Sequence, residues 1–269
     1  MQFGLIIIGD EILSGRREDK HLAKSIEIFA ARGLQVAYAD YVGDVPARIT
    51  ATLERAFASG DVVFSFGGIG ATPDDHTRQC AAAALRRPLQ LHPQAEVLIM
   101  ERVRKLAEEQ GKDFDPARAD NQHRLNMGVF PEGAEIIPNP YNQIPGFRCQ
   151  GAGAGAVHFV PGFPVMAWPM VEAELDTHYR SYSTSGSWQV NSVFVFGAIE
   201  ASLTPLMQRI EQAHAVKVFS LPSVDHPEYG RHIELGVKGS PSAAEAAFAD
   251  MPDSLKSLAI PLGPLMVRN

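Results

Sequence analysis

The chain has 269 residues, a length that suits two domains, and its 45% hydrophobic and 20% charged content excludes disordered, collagen-like and coiled-coil classes. A net charge of −7 argues against nucleic-acid and anionic-membrane partners, and no apolar run is long enough to span a bilayer. Residues 1–8 have neither the basic region nor the cleavage site of a signal peptide, and the two cysteines, Cys80 and Cys149, make no disulfide framework or metal spacing, so a cytoplasmic protein is expected.

Phe3–Ile8 is a continuous apolar run, as in a strand buried on both faces. A helix follows with Leu22, Ile26, Phe29 and Ala30 on one face, closed by Gly33. Leu34–Val42 reads as a second strand. Asp44 is placed to cap the next helix, with Pro46 in its first turn and Ile49, Leu53, Ala56 and Phe57 on its core side. Val62–Phe66 is a third strand. A glycine-rich loop then leads to a helix expected to start near Pro73 and run through Leu85. Further helices are expected over 94–109 and 116–127, and strands at Ala134–Ile137 and Val157–Val160. The glycine–alanine stretch 151–156 reads as a turn, not a phosphate loop, because no helix follows it. Alternating strands and helices predict a mostly parallel sheet with right-handed crossovers.

Ser181–Ser187 is the linker candidate. Beyond it the pattern becomes a strand (Val190–Phe196), a helix (Ala201–Ala213), two strands (Val216–Ser220 and His232–Val237) and a helix (Ala243–Leu258). That order suits a small α+β domain with a split βαβ core. The expected division is therefore residues 1–180 and 188–269.

In an open parallel sheet, ligands bind beyond the carboxyl ends of the strands. The segments there are Gly9–Arg17, Gly43-Asp44, Gly67–Thr77 and Pro161–Pro164, all rich in Gly, Pro and small polar residues. Gly67, Gly68 and Gly70 make a tight turn whose amides suit a phosphate or pyrophosphate. Thr72-Pro73-Asp74-Asp75 also fits a helix start, with Thr72 as cap and Asp75 closing a capping box. The two readings are compatible, since one of Asp74 and Asp75 can cap while the other meets a metal. A second acid pair, Asp10-Glu11, stands at the same rim. Carboxylates beside a phosphate loop repel the ligand unless a cation such as Mg²⁺ lies between them.

These residues resemble a family. Gly9-Asp10-Glu11, Ser14-Gly15, Val42-Gly43-Asp44, the Gly67–Thr77 loop and Pro161–Pro164 are similar to the molybdopterin-binding fold of MoaB/Mog proteins, and most of all to the N-terminal domain of the CinA (competence/damage-inducible) family. Phe130–Ala134, Pro138-Asn139-Pro140 and Ile144–Phe147 also match that pattern. The resemblance implies a three-layer α/β domain over about residues 3–180, followed by the small domain of CinA proteins. It implies a site for a pterin or nucleotide carrying phosphate or pyrophosphate, with a divalent metal and possible molybdopterin as ligand. It maps the family's functional acid onto Asp75, its threonine onto Thr77 and a second acid onto Asp44. It implies cleavage of a nucleotide pyrophosphate such as ADP-ribose, the alternative being a non-catalytic molybdopterin-binding protein of molybdenum cofactor metabolism. The amidase domain of longer CinA chains lies beyond this sequence, so that activity is not expected. MoaB/Mog-like domains commonly form trimers and CinA proteins dimers, so a homo-oligomer of unassigned order is expected. Ala71 stands where CinA proteins commonly have proline.

The expected site therefore comprises Asp75 and Asp44 as catalytic acids, and Asp10, Glu11, Asp74 and Asp75 toward a metal. Ser14, Gly15, Gly67, Gly68, Gly70, Thr72, Thr77, Pro161 and Gly162 would hold the ligand. Asp44 and Ser14 also suit plain helix starts. Arg16 and Arg17 fit a solvated pair better than phosphate ligands, and His76 is read as incidental. Gly236-Val237-Lys238-Gly239 matches the GXXG of RNA-binding KH modules. It lies between a strand and a helix in an acidic domain, so it is read as a turn.

Overall fold

The computed structural model describes residues 1–182, 188–257 and 259–268. The chain divides into two compact units, Met1–Tyr182 and Ser183–Asn269. Of the expected linker, Ser181 and Tyr182 end a 3₁₀ turn, and residues 183–187 lie outside the described residues.

The first unit opens with β1 (Phe3–Ile8), a one-turn helix α1 (Asp10–Leu13) and α2 (His21–Ala30). Then come β2 (Val36–Val42), α3 (Pro46–Ser59), β3 (Val62–Phe66), α4 (Thr77–Leu85), β4 (Leu89–Leu91), α5 (Pro93–Glu109) and α6 (Ala119–Arg124). A 3₁₀ turn (Leu125–Gly128) leads to β5 (Val129–Pro131), β6 (Glu135–Ile137), β7 (Gly146–Gln150), β8 (Ala156–Val160) and α7 (Pro164–His178).

The main sheet runs β2-β1-β3-β8-β7-β6. The first four strands are parallel, while β7 and β6 are antiparallel additions joined to β8 through the 151–155 turn. Both faces are covered, which explains the uninterrupted apolar runs of β1 and β3. Leu5, Ile7, Phe64 and Phe66 pack with α2 and α7, through Phe29, Met170 and Leu175. Ile6, Ile8 and Val63 pack on the other side with α3, α4 and α5, through Leu53, Ala81 and Ile99. The result is a three-layer α/β unit. A two-stranded antiparallel ribbon of β4 and β5 lies outside that sheet.

Several local expectations change. On α2, Ile26 is half exposed, and Ile28 takes the core position beside Phe29. Asp44 does not cap α3; Val45 holds that position without a side-chain bond. The helix expected near Pro73 begins four residues later, at Thr77, because residues 72–75 close on themselves as a turn. Residues 116–127 make a shorter helix that tightens into the 3₁₀ turn.

The second unit contains β9 (Gln189–Val195), α8 (Glu200–Ala213), β10 (Val216–His226), β11 (Gly230–Gly239), α9 (Pro241–Ser257) and β12 (Leu262–Arg268). Its sheet order is β10-β11-β9-β12, antiparallel throughout. This is the βαββαβ pattern, with one strand more than expected. Val193, Val195, Leu235 and Val237 face Leu203, Ile210, Ala247 and Met251 of the two helices. Gly236–Gly239 is not a turn but the paired end of β11, where the Phe219 ring lies over Gly236. Leu258, the expected end of α9, is outside the described residues.

Candidate functional site

The chain leaves β1 for β2 on one side and returns to pair β3 on the other. Helices from these two connections cover opposite faces, so a crevice opens where the loops after β1 and β3 part. A cleft of about 770 Å³ occupies that place, within the size range of small-molecule sites. Its floor is Gly67–Ala71.

That loop is built in a way that frees its amides. Gly67 and Gly68 have φ of +96° and +69°, which L side chains rarely adopt. A Cβ on Gly67 would stand 2.6 Å from the Ile8 carbonyl oxygen, and one on Gly68 would overlap the Thr77 hydroxyl. The carbonyls are tied down on the protein side. Thr77 Oγ1 donates to Gly67 O at 3.1 Å, and Thr77 N donates to Gly68 O at 3.0 Å. The Arg78 guanidinium donates to Ile69 O, and His123 Nε2 bonds Ala71 O at 2.8 Å. A trans peptide points its N–H opposite its carbonyl. The tied carbonyls of Gly67, Gly68 and Ile69 thus turn the N–H groups of Gly68, Ile69 and Gly70 the other way, and these three, with Ala71 N–H, have no acceptor among the described residues. Four consecutive free amides at a cleft floor form an anion nest.

The loop after β8 closes one side. Gly162 approaches so near that a Cβ there would touch the Gly67 Cα at 3.4 Å. His21, buried and stacked on Phe66, bonds the Gly162 carbonyl through Nε2 at 3.1 Å.

Carboxylates ring the nest. Asp75 Oδ2 accepts from Thr72 N at 2.8 Å and Thr72 Oγ1 at 2.6 Å, lying against Gly70, where a Cβ would stand 2.6 Å from that oxygen. Asp10 and Asp44 brace each other: Asp10 N donates to Asp44 Oδ2 at 2.8 Å, and Asp44 N donates to Asp10 Oδ1 at 3.1 Å. Burial pushes the Asp44 carboxyl above its ordinary range. The Asp10 N–H opposes that rise, and the charges of Asp10, Glu11 and Asp74 add to it. Among the described residues no three acidic, His or Cys side chains gather as a protein-only metal cluster. Mg²⁺ commonly takes one or two carboxylates and completes its shell with phosphate oxygens and water. Glu11, Asp44, Asp74 and Asp75, all lining the cleft beside the nest, fit a cation shared with a phosphate ligand.

Residues 4–179 match the family model described as "Probable molybdopterin binding domain". The chain belongs to that family. Molybdopterin-binding-domain relatives include a CinA-like protein of Anaeromyxobacter dehalogenans, 34% identical over 61% of this chain and 38% of its own length. The chain spans about two fifths of the first CinA-like and competence-damage relatives it matches. A protein of Caldivirga maquilingensis, 28% identical, aligns over 96% of this chain and 95% of its own. Among solved structures, the protein CinA of Thermoplasma acidophilum, described as of unknown function, superposes with a TM-score of 0.55 at 26% identity. It covers 65% of this chain and 98% of that one. The fold and the CinA likeness anticipated from sequence are thus both present.

In this molybdopterin-binding domain the expected residues are brought together unevenly. Glu11, Asp44, Gly67, Gly68, Gly70, Thr72, Asp74, Asp75, Pro161 and Gly162 line one cleft. Thr77 is fully buried beneath it and shapes the loop from below. Asp10 is not in the lining and is engaged with Asp44. Ser14 and Gly15 sit outside the lining at the exposed end of α1, where Ser14 Oγ accepts from Arg16 Nε at 3.1 Å. Arg16 and Arg17, read as a solvated pair, are in the cleft wall. Apart from Phe163, in the Pro161–Pro164 segment expected at the ligand rim, the far wall was not anticipated as part of the site. It consists of Met127, Ile144, Pro145, Phe163 and Met166 with the amides Asn139 and Asn142. Asn139 Nδ2 holds Asn142 Oδ1 at 2.8 Å and Ile144 O at 2.9 Å, fixing that loop. The signal for the 138–145 portion of this wall in the sequence is the likeness of Pro138-Asn139-Pro140 and Ile144–Phe147 to the family pattern, which does not by itself point to a ligand.

Proposed function

We propose that the first unit binds a nucleotide or pterin through its phosphate or pyrophosphate, together with a divalent cation, and hydrolyses a nucleotide pyrophosphate such as ADP-ribose. The observation that carries this is the run of four unbonded amides faced by acidic side chains in one cleft. Amides of this kind bind phosphoryl oxygens, and carboxylates beside them make sense when a cation joins the two. The far wall offers apolar surface to a flat heterocycle, on a loop whose shape Asn139 fixes.

Asp75, with Glu11 or Asp74, would hold the cation, which when bound supplies a Lewis acid for the phosphoryl oxygen and a template for water. The Gly68–Ala71 amides would bind the non-bridging oxygens and stabilise charge gathering on them. Pro161-Gly162 would close over the second phosphate. Asp44, whose burial raises the proton affinity of its carboxylate, would in its ionised form orient the attacking water and receive its proton. Water would add to phosphorus, and the bridging P–O bond would break, leaving AMP and ribose 5-phosphate.

The test is AMP release from ADP-ribose with a panel of divalent ions, with Asp75→Asn measured beside the wild type. The variant is expected to lose about 100-fold or more in turnover, the scale of removing one strong electrostatic group. Equal turnover in a folded Asp75→Asn protein would remove Asp75 from the mechanism. The second reading, a pterin carrier without chemistry, draws on the family description. It predicts molybdopterin binding in the cleft and no AMP with any ion.

A further inference from the structure

Arg78 is the second residue of α4 and is only 3% exposed. Among the described residues its one hydrogen bond goes to Ile69 O, and no carboxylate lies within ion-pair distance of it. Asp75 is the acid whose field reaches it, and burial drags its guanidinium below the ordinary arginine range. Buried charges are as a rule paired, because a lone ion out of water is costly. An arginine kept here without a counter-ion lowers the stability of the empty protein.

Its bond shows what the cost serves. The Ile69 carbonyl belongs to the same peptide as the Gly70 N–H, one of the four free amides. A cation on the carbonyl side fixes that peptide and polarises it, aiming a stronger donor at the opposite side. The same positive charge lies under a loop whose cleft holds Glu11, Asp44, Asp74 and Asp75, while the other two cations of the lining, Arg16 and Arg17, are exposed to solvent.

We infer that Arg78 is the positioning residue of the anion site, orienting the Ile69–Gly70 peptide and supplying from below the charge that lets this acidic cleft accept a phosphate-bearing ligand. This rests on the ligand class proposed above. Its missing counter-ion is the ligand itself, reached through the peptide and not by direct contact.

The test separates stability from binding. Thermal midpoints of the ligand-free protein and affinity for inorganic pyrophosphate, with Mg²⁺ present, are measured for wild type, Arg78→Met and Arg78→Lys. Arg78→Met is expected to melt at or above the wild-type temperature while binding pyrophosphate about tenfold more weakly or worse, the effect of one charge acting across a partly dry site. Arg78→Lys is expected to stay within about threefold of wild type, since it keeps the charge and a donor. Should Arg78→Met be insoluble, Arg78→Gln, which keeps an N–H for Ile69 but no charge, is read the same way. A neutral variant that binds as wild type does, or one whose binding falls only with its melting temperature and without rescue by lysine, overturns the inference. Wild-type protein that binds no pyrophosphate overturns the ligand reading and this inference together, whereas tight wild-type binding untouched by the substitutions overturns this inference alone.

Discussion

At Gly68 the backbone takes φ +69°, and any Cβ would overlap the Thr77 hydroxyl. Thr77 holds the carbonyls of both Gly67 and Gly68, so a shift there disturbs the first half of the nest. Gly68→Ala is therefore expected to cost at least about 1 kcal/mol in stability, the scale of left-handed strain in an L residue. Denaturation midpoints and pyrophosphate titrations would show both losses; a variant with unaltered affinity would dissociate this turn from the ligand. Gly70 plays a different part. Its backbone is ordinary, but its missing side chain leaves the room in which the Asp75 carboxylate lies. The glycine cluster is thus two devices, one for backbone direction and one for the seat of an acid. The sequence marks where the glycines are but not which does which, because that depends on Thr77 and Asp75 folding back over them.

At the scale of elements, β8 and α7 are locked by a buried polar chain. His158 Nδ1 meets Glu174 Oε2 at 2.8 Å, and its Nε2 meets Tyr179 Oη at 2.7 Å. Neutral imidazole satisfies both, donating to the carboxylate and accepting from the phenol. Burial holds the His158 pKa below 6.5 and pushes the Tyr179 hydroxyl up to about 12. The unfolded chain binds the histidine proton first as pH falls, so this stabilisation is complete above pH 6.5 and declines toward the lower folded value. The slope from this one group is at most about 1.4 kcal/mol per pH unit. Urea midpoints between pH 7.5 and 5.5 should fall for wild type more steeply than for His158→Gln, which keeps a donor and an acceptor without titrating. Parallel curves would refute the assignment. Elements with strong local pattern were legible: β1 and β3 are unbroken apolar runs, and α3 has Ile49, Leu53, Ala56 and Phe57 on one side. Those defined by their partners were not. β4 and β5 are three residues each and exist by pairing with one another, and β12 carries Gly263 and Pro264, which read as loop. The far wall of the cleft was hidden for a similar reason. Met127, Asn142 and Met166 are chemically quiet and distant in the chain, and only the fold gathers them. No pattern in the sequence sets Arg78 apart from the other arginines.

For the whole molecule, the described residues lining the cleft belong to the first unit, which has two apolar clusters of its own. The second unit has its own core on its four-stranded sheet. A fragment of residues 1–182 is expected to fold cooperatively and to bind pyrophosphate within about threefold of the full chain, as independent sites behave nearly additively. Calorimetry and titration of the fragment check this. Loss of binding in a folded fragment would assign the second unit a part in recognition.

The unpaired backbone donors at Gly68, Ile69, Gly70 and Ala71 also make the protein its own reporter. Amides without acceptors exchange their hydrogens with solvent rapidly, and a bound anion slows them. In a deuterium-labelling experiment these four positions should be among the first to exchange in the free protein. They should become selectively protected by whichever compound occupies the cleft. A library of phosphorylated metabolites could then be ranked by protection at one tetrapeptide, with no turnover assay required and no substrate assumed beforehand.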